Sequence, residues 1–222
     1  MTVRDARPSD AGALLGIYAW YVRHTAVSFE YEPPTPEEFR QRMIRTTAKY
    51  PWLVAEGAGG LLGYAYAGPF KGRAAYDWSC ETTVYVAREA RGRGVGRALY
   101  GALERALQSM GVRNLYACIA YPDPEDEYLT LASPRFHARM GYAEAGRFHR
   151  CASKFGRWYD MVWMEKIIGD HEAEPMHVKA YDGAWAFGSQ LKSYSSACGF
   201  AVTVEGGQVP LRDIPRQILL DY

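Results

Sequence analysis

Two hydrophobic patterns alternate along this chain, and the points where one gives way to the other mark its elements. Leu14, Leu15, Ile17, Tyr18, Tyr21 and Val22 fall on one face of a 3.6-residue repeat, which predicts an amphipathic helix capped by Ser9 or Asp10. The capping box Thr35-Pro36-Glu37-Glu38 starts a second helix, with Phe39, Met43 and Ile44 turned inward. A third runs from Val95 to Met110, with Val95, Leu99, Leu103, Leu107 and Met110 on its apolar face and Gly111 as its C-cap. A short fourth helix begins at Ser133-Pro134, runs through Met140 and is closed by Gly141. Between the helices lie β-rich runs at Thr2–Ala6, Trp52–Glu56, Leu61–Ala67, Asp77–Val86, Asn114–Ala120, Tyr142–Arg150 and Trp158–Lys166. Gly57-Ala58-Gly59-Gly60 joins two of them as a hairpin, and Lys154-Phe155-Gly156-Arg157 turns the closing pair, in which Tyr142 and Trp158 read as core. Thr25–Tyr31 is β-rich and reads as a loop or an edge strand.

The order β-α-α-β-β-β-α-β-α-β-β predicts a mixed α/β domain around one central sheet flanked by helices, over residues 1–168. Residues 169–222 form a C-terminal extension. In it Phe200–Val204 and Gln208–Leu211 read as a hairpin around Glu205-Gly206-Gly207, with Pro210 making the second strand an edge. Ile214–Leu220 suits a helical turn, and Trp185 and Phe187 are apolar enough to dock on the domain or on a second subunit.

Composition narrows the function. With 48% apolar and 14% aromatic residues in 222, the chain has the material for a sizeable core. A net charge of +1 gives no global field to draw nucleic acid or a membrane surface. The charged N-terminal residues Met1–Arg7 lack the apolar stretch of a signal peptide, and no run reaches membrane-spanning length. Cys80, Cys118, Cys151 and Cys198 are scattered without a Cys-x-x-Cys pair, so the expectation is no metal, no disulfide framework and a cytoplasmic location.

The charge that matters is local. Arg91-Gly92-Arg93-Gly94-Val95-Gly96 lies between the β run ending at Val86 and the Val95–Met110 helix, with Arg88 and Arg97 close by. Gly94 and Gly96 let the backbone approach a ligand, and the helix start offers unpaired N–H groups at a positive dipole end, so the turn is a seat for a phosphorylated ligand. It is not a Walker loop, because no Gly-Lys-Ser/Thr follows. Nor is it a dinucleotide fingerprint: Arg97 stands where the third glycine belongs, and Leu115–Ala120 supplies no acidic residue further on.

The Arg91-x-x-Gly94-x-Gly96 pattern after a strand resembles the acetyl-CoA signature of the GNAT superfamily of N-acetyltransferases. Tyr50–Glu56, Tyr66–Trp78, Glu81–Val86 and Arg135–Tyr142 resemble its phosphinothricin acetyltransferase subfamily, and the likeness covers about residues 2–168. The resemblance implies the GNAT fold, with a mixed, mostly antiparallel sheet. It also implies acetyl transfer from acetyl-CoA to the α-amine of a small amino acid whose side chain carries a phosphinate, sulfone or sulfoximine, and a homodimer. On the same basis the cofactor side comprises Val84, Tyr85 and Val86, then Arg91, Gly92, Arg93, Gly94, Val95, Gly96 and Arg97. Thr130 completes it, where relatives often carry Asn.

An amine must lose a proton before it attacks a thioester, and Glu81 matches the subfamily's general base. His137 matches its histidine, placed to assist at the departing thiolate. A main-chain N–H in Val84–Val86 is the candidate donor to the oxyanion. Lys71, Arg73 and Tyr76 would face the acceptor, where Lys and Arg suit a carboxylate or phosphinate, and Phe29 would wall its pocket. The segment Glu125–Tyr128 lengthens the loop before the fourth helix, and Glu125-Asp126-Glu127 is expected to be solvated. Cys80 adjoins Glu81, but neighbours on a regular strand face opposite ways, so direct transfer in a ternary complex is expected rather than an acyl-cysteine. The competing readings are the same fold acting on a polyamine or a protein N-terminus, and a non-catalytic acyl-CoA-binding module.

Overall fold

A computed structural model describes residues 1–183, together with the backbone of 201–204 and 207–210. The chain runs β1 (Thr2–Asp5), α1 (Ala11–His24), α2 (Pro36–Thr47), β2 (Trp52–Gly57), β3 (Gly60–Pro69), β4 (Ser79–Val86), α3 (Val95–Met110), β5 (Asn114–Tyr121), α4 (Ala132–Arg139), β6 (Ala143–Lys154) and β7 (Arg157–Ile167). The strands form one sheet in the order β1-β2-β3-β4-β5-β7-β6. Every neighbouring pair is antiparallel except β4 and β5, which the α3 crossover makes parallel. This is the mixed α/β architecture expected.

Both faces of the sheet are covered, so β2 is buried at Trp52, Leu53, Val54 and Ala55 without alternation of polarity. The alternation appears instead in what each residue touches. Leu53 and Ala55, with Ala65 and Ala67 of β3, pack under Val95, Leu99, Leu103 and Leu107 of α3. Trp52, Val54 and Tyr64 pack under Leu14, Tyr18 and Val22 of α1 and Phe39 and Met43 of α2. Alanines on the α3 side let that helix lie close; fully burying each of its leucines contributes about 1.5–3 kcal/mol. The predicted α2 cap is present, with Thr35 Oγ1 accepting from Glu38 N–H and the Glu38 carboxylate accepting from Thr35 N–H at 2.7 Å. Gly111 ends α3 at φ 98°.

Some local expectations fail. Ile44 is exposed on the outer side of α2, while Phe39 and Met43 carry its buried face. Trp158 is 66% exposed, because it sits opposite Ser153 at the turn end of β6–β7 and the buried face there belongs to its neighbour Tyr159. Neither Ser9 nor Asp10 caps α1 with its side chain; the Asp10 carboxylate accepts from Arg7 N–H at 2.7 Å and pairs with Arg4 at 2.8 Å. Thr25–Tyr31 is a loop.

Met1–Ala186 form one compact unit and Phe187–Tyr222 a second. Within the first, residues 169–183 make a strap at the end of the sheet where β4 and β5 begin. Trp78 Nε1–H donates to Met176 O at 2.9 Å, Lys179 N–H to Met110 O at 2.9 Å and Tyr181 N–H to Lys49 O at 2.9 Å. Tyr181 also donates its hydroxyl to Asp5 at 2.9 Å. In the second unit β8 (Ala201–Val204) pairs antiparallel with β9 (Gly207–Pro210), the expected hairpin. Trp185, Phe187 and Ile214–Leu220 lie outside the described residues.

Candidate active site

The site begins as a gap in the sheet. β4 and β5 pair over three registers only, from Ser79↔Asn114 to Glu81↔Tyr116. Beyond them β4 stays with β3 as far as Gly63↔Val86, and β5 stays with β7 as far as Tyr121↔Asp160, so the two half-sheets diverge. Trp78 O accepts from Arg113 and Asn114 on the β5 side, whereas Ala87 N–H donates to Leu62 O on the β3 side. Strand alternation therefore turns the backbone groups of Val84 and Val86 into the gap and those of Tyr85 toward β3. The Val86 carbonyl accepts from Tyr21 OH at 2.6 Å.

The gap widens into a cleft of ≈ 750 Å³ that passes the glycine turn. Gly94 is the N-cap of α3 at φ 80°, a conformation that favours glycine, and no side chain caps the helix. The first helical bond is Ala98 N–H to Gly94 O at 3.0 Å, which leaves the amides of Val95, Gly96 and Arg97 free for an anion. Gly92, Arg91, Arg97 and Thr130 line the cleft, and Arg93 does not. The Arg91 guanidinium is held 4.8 Å from the Tyr21 ring and 5.1 Å from Trp20. Gly96 has a second reason to be glycine: a Cβ there would lie 3.1 Å from the Phe136 ring, so it makes room for α4. Uncapped amides, a left-handed glycine and an open strand edge fit a cofactor with phosphates at one end and an amide-bearing arm at the other.

Where the cleft reaches β4 it meets a smaller cavity of ≈ 270 Å³; Val27, Val84, Leu129 and Ser133 line both. Glu81, His137 and Phe29 all face this cavity, together with Tyr100 and Cys118. Burial pushes the Glu81 carboxyl up, opposed by the nearby Lys71 ammonium, so it is a stronger base than an exposed glutamate. The His137 Nδ1 lies 2.9 Å from Ser133 O, which can only accept, so the ring hydrogen is on Nδ1. Nε2 is then the acceptor for Tyr100 OH at 2.9 Å. Burial lowers the His137 pKa to about 4, leaving the ring neutral at pH 7. Cys80 is fully buried, on the opposite face from Glu81, and burial pushes its thiol up to about 12.

Lys71 stands over Phe70 and Trp163, its Nζ 5.1 and 5.8 Å from the two rings. Arg73 and Tyr76 are exposed on the loop that follows and do not line the cavity; the Tyr76 ring lies 5.9 Å from Phe70. Tyr85 packs edge-on between Tyr18 and Tyr21, at 5.0 and 5.1 Å.

Two interactions hold the loops that close the site. Lys154, 2% exposed, donates from Nζ to Val22 O at 2.8 Å, Thr25 O at 3.0 Å and Ser28 O at 2.6 Å. Asp126 accepts from the amides of Tyr128 and Leu129, both at 2.8 Å, from Tyr159 OH at 2.8 Å and pairs with Arg157 at 2.9 Å. Glu125 and Glu127 are exposed, as expected of the acidic segment, whereas Asp126 turns in and organises the loop. Trp20, Tyr21 and His24 of α1 also line the cleft. Sequence reasoning placed Tyr21 on the apolar face of the helix, which reads as core, and did not single out Trp20 or His24.

A gap in a sheet that leads from free helix amides to a half-buried carboxylate suits an enzyme that presents an activated thioester to an amine. The chain belongs to the GNAT family, matching its acetyltransferase (GNAT) domain over residues 3–163. It is an acetyl-CoA-dependent N-acetyltransferase, with acetyl-CoA supplying the activated acetyl group. A phosphinothricin N-acetyltransferase from Alcaligenes faecalis is 40% identical over 168 residues, 75% of this chain and 82% of that one. An L-methionine sulfoximine/L-methionine sulfone acetyltransferase from Pseudomonas aeruginosa is 33% identical over 177 residues, 78% of this chain and 98% of that one. The crystal structure of a GNAT phosphinothricin acetyltransferase from Sinorhizobium meliloti in complex with AcCoA matches with a TM-score of 0.73 and 31% identity, over 84% of this chain and 98% of that one. Among the described residues no helix is long and apolar enough to cross a membrane, and no group of three His, Cys, Asp or Glu could hold a metal ion.

Proposed function

We propose that the enzyme acetylates the α-amine of a small amino acid whose side chain ends in a tetrahedral polar group, by direct attack within a ternary complex. The observation that carries this reading is the ≈ 270 Å³ cavity with Glu81 in its wall, opening onto the cofactor cleft at Val84. Its size suits a small amine, and the relatives named above act on acceptors of this type. Glu81 takes the proton from the incoming ammonium. The Val84 N–H meets the negative charge that develops on the acetyl oxygen. His137, neutral and bonded through Nε2 to Tyr100, holds that hydroxyl in place near the leaving thiolate. Lys71, close enough to Glu81 to oppose its shift, attracts the acceptor carboxylate, with Arg73 and Tyr76 following it on the exposed loop. All these residues lie within 1–168, which we take as the catalytic domain, with 169–222 as an extension outside the chemistry.

The protein would work in the cytoplasm, consistent with the free thiols of Cys80, Cys118 and Cys151. It would work as a homodimer, for which Trp158 and Phe148, exposed on the β6–β7 pair, offer aromatic contact surface. Thiol release from acetyl-CoA is the test, with a panel of amino acids, polyamines and peptide N-termini. Turnover confined to amino acids is expected. Turnover with peptides alone would replace the acceptor, and acetyl-CoA binding without any turnover would make the protein a non-catalytic module. Sedimentation as a monomer at micromolar concentration would remove the dimer.

A further inference from the structure

Four residues line both the cofactor cleft and the Glu81 cavity, each from a different part of the fold. Val27 is on the loop between α1 and α2, Val84 on β4, Leu129 on the loop before α4 and Ser133 on α4. They mark the neck through which one space opens into the other. The acetyl-CoA arm arrives on one side of the neck and the amine on the other, so the thioester carbon has to stand within it. The amine nitrogen bonds to that carbon, Glu81 takes the amine proton, and the C–S bond breaks with its electron pair leaving on the CoA thiolate. Before attack the carbon is trigonal: its oxygen, sulfur and methyl group point three ways in one plane, and the amine comes in across the plane. The mechanism above assigns all but one of these directions. The oxygen faces the Val84 N–H, and the amine comes from the Glu81 side. The sulfur lies toward Ser133, whose carbonyl accepts from His137 Nδ1 at 2.9 Å beside Tyr100. The methyl group is left facing Val27 and Leu129.

That wall is apolar and fixed. Val27, half-buried, and Leu129, 2% exposed, belong to one small cluster with Ala26, Ala120 and Tyr159. Their loops are tied together one residue before each of them, where Ala26 N–H donates to Tyr128 O at 3.0 Å. Lys154 anchors the first loop through three carbonyls, and Asp126 anchors the second through the amides of Tyr128 and Leu129. The Tyr128 ring also stacks on Phe155 at 4.4 Å. Side chains held from several sides do not retreat cheaply from an added methylene. We propose that Val27 and Leu129 are the acyl-length gauge of this enzyme, admitting an acetyl group and rejecting longer ones, with Asp126 and Lys154 as positioning residues that keep it closed. The acidic segment that lengthens the loop before α4 thereby acts on the choice of donor. The inference rests on the reading of the Glu81 cavity as the amine's side of the reaction.

The test uses the full chain, methionine sulfone as acceptor, and acetyl-, propionyl- and butyryl-CoA as donors, read by thiol release. In wild type kcat/KM should fall about tenfold or more with each added methylene. Val27→Ala, at a half-buried position, should raise the propionyl-to-acetyl ratio about tenfold. Phe29→Leu, on the same loop but lining the Glu81 cavity alone, should leave that ratio at its wild-type value, which separates a gauge from general loosening of the loop. Asp126→Asn should raise the ratio less than Val27→Ala does; an unchanged ratio there removes Asp126 from the proposal. Equal turnover of the three donors by wild type, or an unchanged ratio in Val27→Ala, overturns the gauge. If wild type acetylates no amino acid, the acceptor reading fails instead, and calorimetric titration without acceptor still reads the neck. Propionyl-CoA should then bind wild type more weakly than acetyl-CoA, and Val27→Ala should narrow the difference; a difference that does not narrow removes the gauge.

Discussion

Lys154→Met exchanges a buried ammonium for an apolar side chain of nearly the same length. The wild-type ammonium donates to three carbonyls, at Val22, Thr25 and Ser28, and no water-exposed path replaces them. Hydrogen bonds to a charged donor contribute about 1.5–3 kcal/mol each. Burying the ammonium offsets several kcal/mol of that gross gain, so the net loss should be about 3 kcal/mol, the low end for breaking a buried charged contact. For a domain of this size each kcal/mol moves Tm by roughly 2–4 °C, so the melt should fall by about 6–12 °C. Val22 O is also one of the last four carbonyls of α1, where a cation opposes the helix dipole. The loop that loses its anchor carries Thr25 and Val27 into the cofactor cleft and Phe29 into the catalytic cavity. KM for both substrates should therefore rise at a temperature well below the new melt. Lys154→Arg should not rescue, because a planar guanidinium fork does not reach three convergent acceptors as a point donor does. Calorimetry showing a Tm within 2 °C of wild type, with both KM values unchanged, would refute the reasoning (the 2 °C bound corresponds to about 1 kcal/mol or less).

Three further outcomes are expected. Glu81→Gln should lower kcat by about 10²–10⁴ with acetyl-CoA affinity unchanged, and the deficit should shrink as pH rises and free amine becomes abundant. Because burial raises the folded-state pKa of Glu81, the folded protein binds more protons just above the unfolded value of 4.5 and loses stability as pH rises through that window. The Gln variant should then melt higher than wild type at pH 7, and a lower melt would contradict the assignment of a desolvated base. His137 has the opposite dependence: its folded pKa of about 4 lies below the unfolded 6.5, so stability falls as pH drops between those values. Urea midpoints at pH 7 and pH 5 should diverge more in wild type than in His137→Gln, and equal divergence would show that the ring is not buried neutral. Gly94→Val should leave a cooperative melt but weaken CoA binding measured by calorimetric titration, since a β-branched residue resists φ 80° and crowds the helix amides.

Much of this was legible in local pattern. The α3 stripe from Val95 to Met110 is buried where the spacing placed it, and the Thr35–Glu38 box closes α2, because both are set by interactions within one turn of helix. The glycine turn was legible because φ at Gly94 restricts the residue type. The divergence of β4 from β5 was not, since where a ladder stops depends on which other strand each partner follows, here β3 and β7. The helix stripe of α1 could not reveal that Tyr21 faces a cleft, because burial against a cavity and burial against a core call for the same residues. Asp126 looked like part of a solvated run, and only the return of Arg157 and Tyr159 from a distant strand shows what it organises. Arg73 and Tyr76 carry the right chemistry, but they stand on the loop outside the cavity wall.

The three-register seam between β4 and β5 has a bearing on the life of the protein in a cell. A sheet joined so briefly at its centre is weakest at that point, and a ligand lodged there would act as the missing strand. Its binding energy would then be folding energy: a ligand at 100 times its Kd adds about 2.7 kcal/mol to global stability. The enzyme would be most resistant to proteolysis when acetyl-CoA is plentiful, and would open along the seam when supply falls.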